Sequence, residues 1–184
     1  TTAPIASGKT LTPRSFTMLS ARPAKGAIRR DSNAMAMAAA LVARRELHEL
    51  VVVTSGLTIA LALEAAVPRF TVIETGGTLR PLQHSLVNPF AGPMFDTLRL
   101  DAAFIGCNGI HSVHGVTNLN LPDAEIKRVA LRSSRRHVLI ADASKLGRTD
   151  LAEDPALAGG ARHTIVISTV TLLLAVIILL LLVK

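Results

Sequence analysis

Apolar residues along this chain gather into short β-branched runs, each released into small or polar residues and followed by helical patterning. Leu50-Val-Val-Val-Thr54, Phe70-Thr-Val-Ile-Glu74, Asp101-Ala-Ala-Phe-Ile-Gly106 and His137-Val-Leu-Ile-Ala141 predict four buried strands. Ala34–Leu50 is Ala- and Met-rich and predicts a helix, and Ser55-Gly56 opens another through Ala66, which Pro68 stops. The stretch after Ser85 predicts a helix interrupted by Pro89 and Pro93. Leu121-Pro-Asp-Ala-Glu-Ile-Lys127 starts a further helix, with proline and acids in the first turn and Arg132-Ser-Ser-Arg-Arg136 at its end. A loop rich in Asn, His and Gly is expected after Gly106. Strands alternating with helices predict an α/β fold: a parallel sheet with helices on both faces.

That architecture says where chemistry belongs, because open parallel sheets bind ligands beyond the carboxyl ends of their strands. The polar clusters Thr54-Ser55-Gly56, Thr75-Gly76-Gly77, Cys107-Asn108-Gly109 and Asp142-Ala-Ser-Lys145 all fall at such ends. Gly76 and Gly77 can offer bare backbone N–H groups to an anion, with Arg80 adding charge. The same glycines also serve a plain tight turn. Thr54-Ser55-Gly56 fits either an anion-binding helix start or an ordinary cap. Lys145 suits a phosphate. Asp142 suits a sugar hydroxyl, or the task of holding Lys145. Glu125 is expected to face the pocket, with Lys127 solvated.

The chain of 184 residues has room for one domain with a proper core. Its single cysteine excludes a disulfide framework, so a reducing cytoplasm is the default, and Cys107 fits a small buried residue better than a nucleophile. His111 and His114 have no carboxylate or thiolate nearby in ligand spacing, so no metal or cofactor is expected. A net charge of +7 draws partly on residues 1–30, a mixture of Thr, Ser, Pro, Gly and basic residues expected to be a disordered arm. Without interleaved aromatics that arm does not suit base stacking. Residues 163–184 form a hydrophobic segment, uncharged from Thr164 to Val183, that passes as a C-terminal transmembrane helix. Thr164-Ile-Val-Ile-Ser168 also suits a final strand, which would leave Val170–Val183 too short to span comfortably.

The segments Val52-Val-Thr-Ser-Gly-Leu-Thr-Ile-Ala-Leu-Ala-Leu63, Thr75-Gly-Gly-Thr-Leu-Arg-Pro81, His84-Ser-Leu-Val-Asn-Pro89, Asp101-Ala-Ala-Phe-Ile-Gly-Cys-Asn-Gly-Ile110, Gly115-Val-Thr117, Glu125-Ile-Lys127 and Ala141-Asp-Ala-Ser-Lys-Leu-Gly147 occur in this order. Together they resemble the C-terminal sensor domain of DeoR-type transcriptional regulators over about residues 31–152, and the sensor domain is expected to span 31–162. The resemblance implies a fold akin to ribose-5-phosphate isomerase and a phosphorylated sugar or related metabolite as effector. It places effector binding on Thr54, Gly76, Gly77, Asn108, Gly109, Glu125 and Lys145, without catalysis. In complete relatives a winged helix-turn-helix contacts DNA, and effector binding relieves repression; a homo-oligomer is compatible with this arrangement. Residues 1–30 show no such DNA-reading pattern. Where the family has a strand and then an Asp-Ser-Gly-Thr-Thr-Thr-like loop, this chain reads Ala27-Ile-Arg-Arg-Asp-Ser-Asn-Ala-Met-Ala36. The phosphate loop and the strand before it are therefore expected to be lost. Two other readings stay open: a sugar-phosphate isomerase-like enzyme using Glu125 with Lys145 on the phosphate, and a degenerate tail-anchored membrane protein.

Overall fold

The structure is a computed structural model and describes residues 14–19, 32–87, 91–153 and 163–168. The predicted runs become β2 (Leu50–Thr54), β3 (Phe70–Glu74), β6 (Leu100–Gly106) and β9 (Ser134–Asp142). Two further strands join them, β1 (Arg14–Leu19) and β11 (His163–Ser168), in a six-stranded sheet ordered β11-β9-β6-β1-β2-β3. Every neighbouring pair is parallel.

Helices cover both faces. On one side α1 (Ser32–Ala43) and α2 (Leu57–Glu64) bury Met37, Leu41, Ile59 and Leu63 against Leu50, Val52, Phe70 and Phe104. On the other, α3 (Ala91–Thr97) and α4 (Leu121–Arg132) bury Phe95, Ile126, Ala130 and Leu131 against Val53, Ala103, Ile105 and Leu139. Alternate residues of one strand thus serve opposite cores, which is why these strands read as unbroken apolar runs.

Several expectations change. The arm expected over residues 1–30 contains β1, which lies between β2 and β6 in the middle of the sheet. A strand is therefore present at Arg14–Leu19, well upstream of Asp31, and residues 20–31 lie outside the described ones. Ladder hydrogen bonds on both edges hold a strand whose own sequence is only modestly β-prone. The segment 163–184 begins as β11, whose β-branched Thr164-Ile-Val-Ile167 pairs with β9 from His163↔His137 to Ser168↔Asp142. It is therefore not one continuous apolar helix, and residues 169–184 lie outside the described ones. Among the described residues no helix is long and apolar enough to cross a membrane.

Ser85–Val87 is a strand, β5, rather than the start of a helix, and it pairs antiparallel with β4 (Thr78–Arg80). The helix there runs only over α3, with Pro93 in its first turn, where a missing N–H costs little. The expected Asn/His/Gly loop is a hairpin of β7 (Gly109–His111) and β8 (Gly115–Asn118), joined by β10 (Ala152–Glu153) in a small antiparallel sheet. In that hairpin the His111 and His114 rings stand 5.1 Å apart and His114 Nδ1 lies 3.0 Å from Glu153.

The long first helix ends at Ala43 without a basic residue of its own in the last turn. Arg69 supplies one from the loop before β3, donating to Val42 O at 3.2 Å, Arg44 O at 3.2 Å and Leu47 O at 3.0 Å. Its guanidinium also stands 5.0 Å from the Phe70 ring centroid. One rigid fork therefore ties Val42 O in the last turn of α1 to Arg44 O and Leu47 O of the segment that follows. Arg69→Ala is expected to cost about 2 kcal/mol of stability, with Arg69→Lys recovering only part. Urea unfolding checks this, and an unchanged midpoint for Arg69→Ala would refute the clamp.

Thr17 supplies a contrasting case. It is fully buried, opposite Val53 and Ala103 of the α3–α4 core, and its hydroxyl has no partner among the described residues. Thr17→Val keeps the shape and removes the unmet group, so stability is expected to hold or rise by up to about 1 kcal/mol. A clear loss in the same urea experiment would show that the hydroxyl is engaged.

Candidate functional site

Polar residues that are buried concentrate at the carboxyl ends of the strands and in the segments that follow them: Thr54, Ser55, Thr75, Asn108, Thr117 and Asn118. They form two groups, one after β2 and β3, the other after β6 and β9.

In the first group, Thr54 ends β2 and its hydroxyl accepts from Gly56 N–H at 3.1 Å. Thr75 N–H donates to Thr54 O at 3.0 Å, which folds the turn after β3 back over β2. Gly76 and Gly77 follow with φ of 68° and 116°, a backbone that side chains with a Cβ disfavour. A Cβ built on Gly76 would meet nothing within 4 Å, so neighbouring atoms do not demand this glycine; its backbone does. The β4–β5 hairpin then returns across β2. Leu57 N–H donates to His84 O at 2.8 Å and Leu86 N–H to Ser55 O at 2.7 Å. The first amide of α2 is thus taken by backbone, and Thr54-Ser55-Gly56 works here as a turn rather than an open anion-binding helix start.

Glu74 stands beside Thr54 in register at the last position of β3. Both of its carboxylate oxygens are buried without a hydrogen-bond partner among the described residues, and burial raises its pKa from the ordinary glutamate value.

In the second group, Asn108 is pinned by its N–H to Thr117 O at 3.0 Å and accepts from Leu119 N–H on its side chain at 3.1 Å. Gly109 is demanded by packing, since a Cβ there would sit 2.4 Å from Arg148 O. Asn120 caps α4 by accepting from Asp123 N–H at 3.0 Å. The helix then buries a charge. Lys127 is fully covered, and its ammonium donates to Asp123 at 2.6 Å and to Asn118 at 2.7 Å.

This reverses the expectation for α4. Lys127 faces inward, whereas Glu125 is half-exposed and bound to Arg128 at 2.6 Å, with Arg132 at 3.9 Å. Asp142 accepts from Ser144 N–H at 2.9 Å and opens the single 3-10 turn Ala143–Lys145, which presents Lys145 at the end of β9. Both Lys127 and Lys145 act electrostatically on Cys107. Burial outweighs them and pushes the thiol up to about 11, so Cys107 is a packing residue rather than a nucleophile. Among the described residues three buried polar atoms remain without a partner in this half, Asn118 Nδ2, Arg128 Nε and Asp150 Oδ2.

The structure therefore brings Thr54, Gly76 and Gly77 together, and separately Asn108, Gly109 and Lys145. Strand β1 lies between β2 and β6, so the two halves are offset by two strand spacings, roughly 10 Å. Strand β5 reaches across from the first half to pack on α4. Sequence reading missed Asp123 and Lys127 as a buried pair, although their i, i+4 spacing is the signal for one. It also missed Glu74, whose signal was a carboxylate closing a β-branched run. Among the described residues no three His, Cys, Asp or Glu side chains converge on a metal site.

Residues 28–160 match the family model of the DeoR C-terminal sensor domain. The chain is 35% identical over 83 residues to the HTH-type transcriptional regulator GlpR of Haloferax volcanii, covering 45% of this chain and 32% of that one. It is 30% identical over 115 residues to the HTH-type transcriptional regulator GolR of Listeria innocua, covering 61% and 45%. With the lactose phosphotransferase system repressor of Staphylococcus aureus it shares 28% over 104 residues, covering 56% and 41%. The chain thus spans less than half the length of these relatives. A solved structure of a variant of the decarboxylase AibA/AibB aligns at 19% identity with a TM-score of 0.40, over 74% of this chain and 72% of that one, too slight a likeness to carry an argument. The family model covers most of the chain, and the segments that resemble the family sit where the sheet ends, so this chain belongs to the DeoR C-terminal sensor domain family.

Proposed function

We propose that the carboxyl edge of the sheet binds a phosphorylated sugar or related metabolite, and that in a longer protein its occupancy is passed to a DNA-binding module. The observation that supports this most is the collection of buried hydroxyl, amide and charged side chains at that one edge, above a sheet whose buried positions are mostly apolar. Buried polar groups are costly unless satisfied, so a fold that gathers them in one place keeps them for a ligand or for a network that shapes its site. Gly76 and Gly77 supply backbone N–H groups, and Lys145 supplies positive charge for a phosphate. Asn108 and Gly109 shape the wall between them. The names of the relatives agree: two are HTH-type transcriptional regulators, and one is a repressor of a lactose phosphotransferase system.

In this reading the domain is a cytoplasmic sensor with the architecture of a ribose-5-phosphate isomerase, and it has no turnover of its own. Glu125, the acid–base candidate of an isomerase, is held by Arg128 and Arg132. Its contribution to effector binding is then indirect, through the pose of α4.

The two glycines separate structure from function. Gly109→Ala drives a Cβ into Arg148 O and is expected to lower the melting temperature. Gly76→Ala meets only the backbone cost of its left-handed φ, about 1 kcal/mol, yet it fills the space where a phosphate would approach. Calorimetric titration with ribose 5-phosphate, fructose 6-phosphate and glycerol 3-phosphate is expected to show binding without turnover, weakened about tenfold or more by Gly76→Ala in a folded protein. Failure of all three to bind, or unchanged affinity in Gly76→Ala, would sink the proposed site; product formation would make it an enzyme.

A further inference from the structure

Glu74 has both carboxylate oxygens buried without a partner among the described residues. Its neighbours in β3 alternate cleanly: Phe70 and Val72 pack into the α1–α2 core and Ile73 into the opposite one. By the same alternation Glu74 lies on the α1–α2 side, as does Thr54 beside it, since Leu50 and Val52 of β2 belong to that core. A carboxylate at this position has three ways to remain buried: an ion pair, hydrogen bonds, or protonation. Among the described residues no ion pair reaches it, both oxygens lack hydrogen bonds, and burial is the only influence on its acidity. Of the carboxylates of the other half, Asp123 holds Lys127, Glu125 holds Arg128 and Asp142 holds the amide of Ser144, while Asp150 leaves one oxygen, Oδ2, without a partner among the described residues.

An apolar residue would close β3 at no such cost, so the carboxylate calls for a partner that the described residues do not supply. Its position supplies one. Glu74 ends its strand at the edge where ligands of open parallel sheets lie, one residue before Thr75 and two before Gly76. A phosphate beside it would meet a like charge, whereas a hydroxyl or amino group would find two acceptor oxygens already stripped of water. Lys127 and Lys145 lie in the other half of the site, beyond β1.

We propose that Glu74 reads the non-phosphate end of the ligand, accepting hydrogen bonds from a hydroxyl or amino group and so fixing which way round a sugar phosphate binds. This rests on the proposed sugar-phosphate reading and adds a polarity to it. The phosphate lies on the Lys145 side of Gly76 and Gly77, and the hydrogen-bond-donating end lies against β3. Inorganic phosphate has no such end and gains nothing from Glu74.

The test is a melting and calorimetric comparison of the wild-type chain with Glu74→Gln and Glu74→Leu. The probes are inorganic phosphate, ribose 5-phosphate, fructose 6-phosphate and glucosamine 6-phosphate. Without ligand, both variants are expected to melt at or above the wild-type temperature at neutral pH, because an unpaired buried charge has been removed. With a sugar phosphate that binds the wild type, affinity is expected to fall about tenfold or more in Glu74→Gln and further in Glu74→Leu, while weak binding of inorganic phosphate stays unchanged. A larger loss for glucosamine 6-phosphate assigns the donor as an amine, and a larger loss for the other two assigns a hydroxyl. Equal affinity in wild type and Glu74→Gln overturns the proposal and leaves the sensor reading standing. A lower melting temperature in both empty variants overturns it as well, since Glu74 would then be a structural residue. If no sugar phosphate binds the wild type, the sensor reading falls and this inference falls with it.

Discussion

Strand β1 is hydrogen-bonded on both of its edges, and the six-stranded sheet is continuous only through it. Its register sets the level at which the other strands end: Met18 stands opposite Thr54, Thr54 opposite Glu74, and Leu19 opposite Ile105. Because all six strands run the same way, every carboxyl end falls on one edge. Both faces of the sheet are covered by helices, so that edge is where polar groups collect without entering a core. Removing β1 would leave β2–β3 and β6–β9–β11 as two pieces, and with them two unrelated half-sites.

The two halves of that edge handle burial differently. On α4, Lys127 is enclosed with Asp123 and Asn118, a charge made tolerable by a short ion pair and a hydrogen bond. Breaking such a pair leaves an uncompensated buried charge, which is far costlier than never having built it. The pair thus holds the start of α4 to β8 and fixes the wall behind Asn108. On β3, the two carboxylate oxygens of Glu74 are buried without a partner among the described residues. In the proposed binding mode this contrast, a paired charge on α4 against an unpaired carboxylate on β3, orients the ligand.

Much of this was readable in the sequence, and the failures have physical causes. The strands β2, β3, β6 and β9 are long β-branched runs buried on both faces, the strongest pattern a parallel sheet writes. Strand β1 is held by its neighbours' ladders more than by its own residues, and Thr, Pro and basic residues on either side hide it. The hairpins β4–β5 and β7–β8 have strands of three or four residues, too short to show a period. Strand β11 merged with the leucines after it into one apolar run. On α4 the error was one of helical phase. Asp123 and Lys127 share a face at i, i+4, while Glu125 lies about 200° round from Asp123 and so meets Arg128 outside. Placing four polar clusters at strand ends survived because it depends on topology alone. Which of their side chains turn inward depends on packing, which the sequence does not display residue by residue.

The most direct test of a ligand-binding carboxyl edge is an amide NMR titration of the chain with fructose 6-phosphate and ribose 5-phosphate. Shifts are predicted at Thr54, Thr75, Gly76, Gly77, Asn108, Gly109 and Lys145, with the opposite ends of the strands, around Leu50, Phe70 and Leu100, undisturbed. Changes centred on those opposite ends, or no change at saturating ligand, would contradict the account.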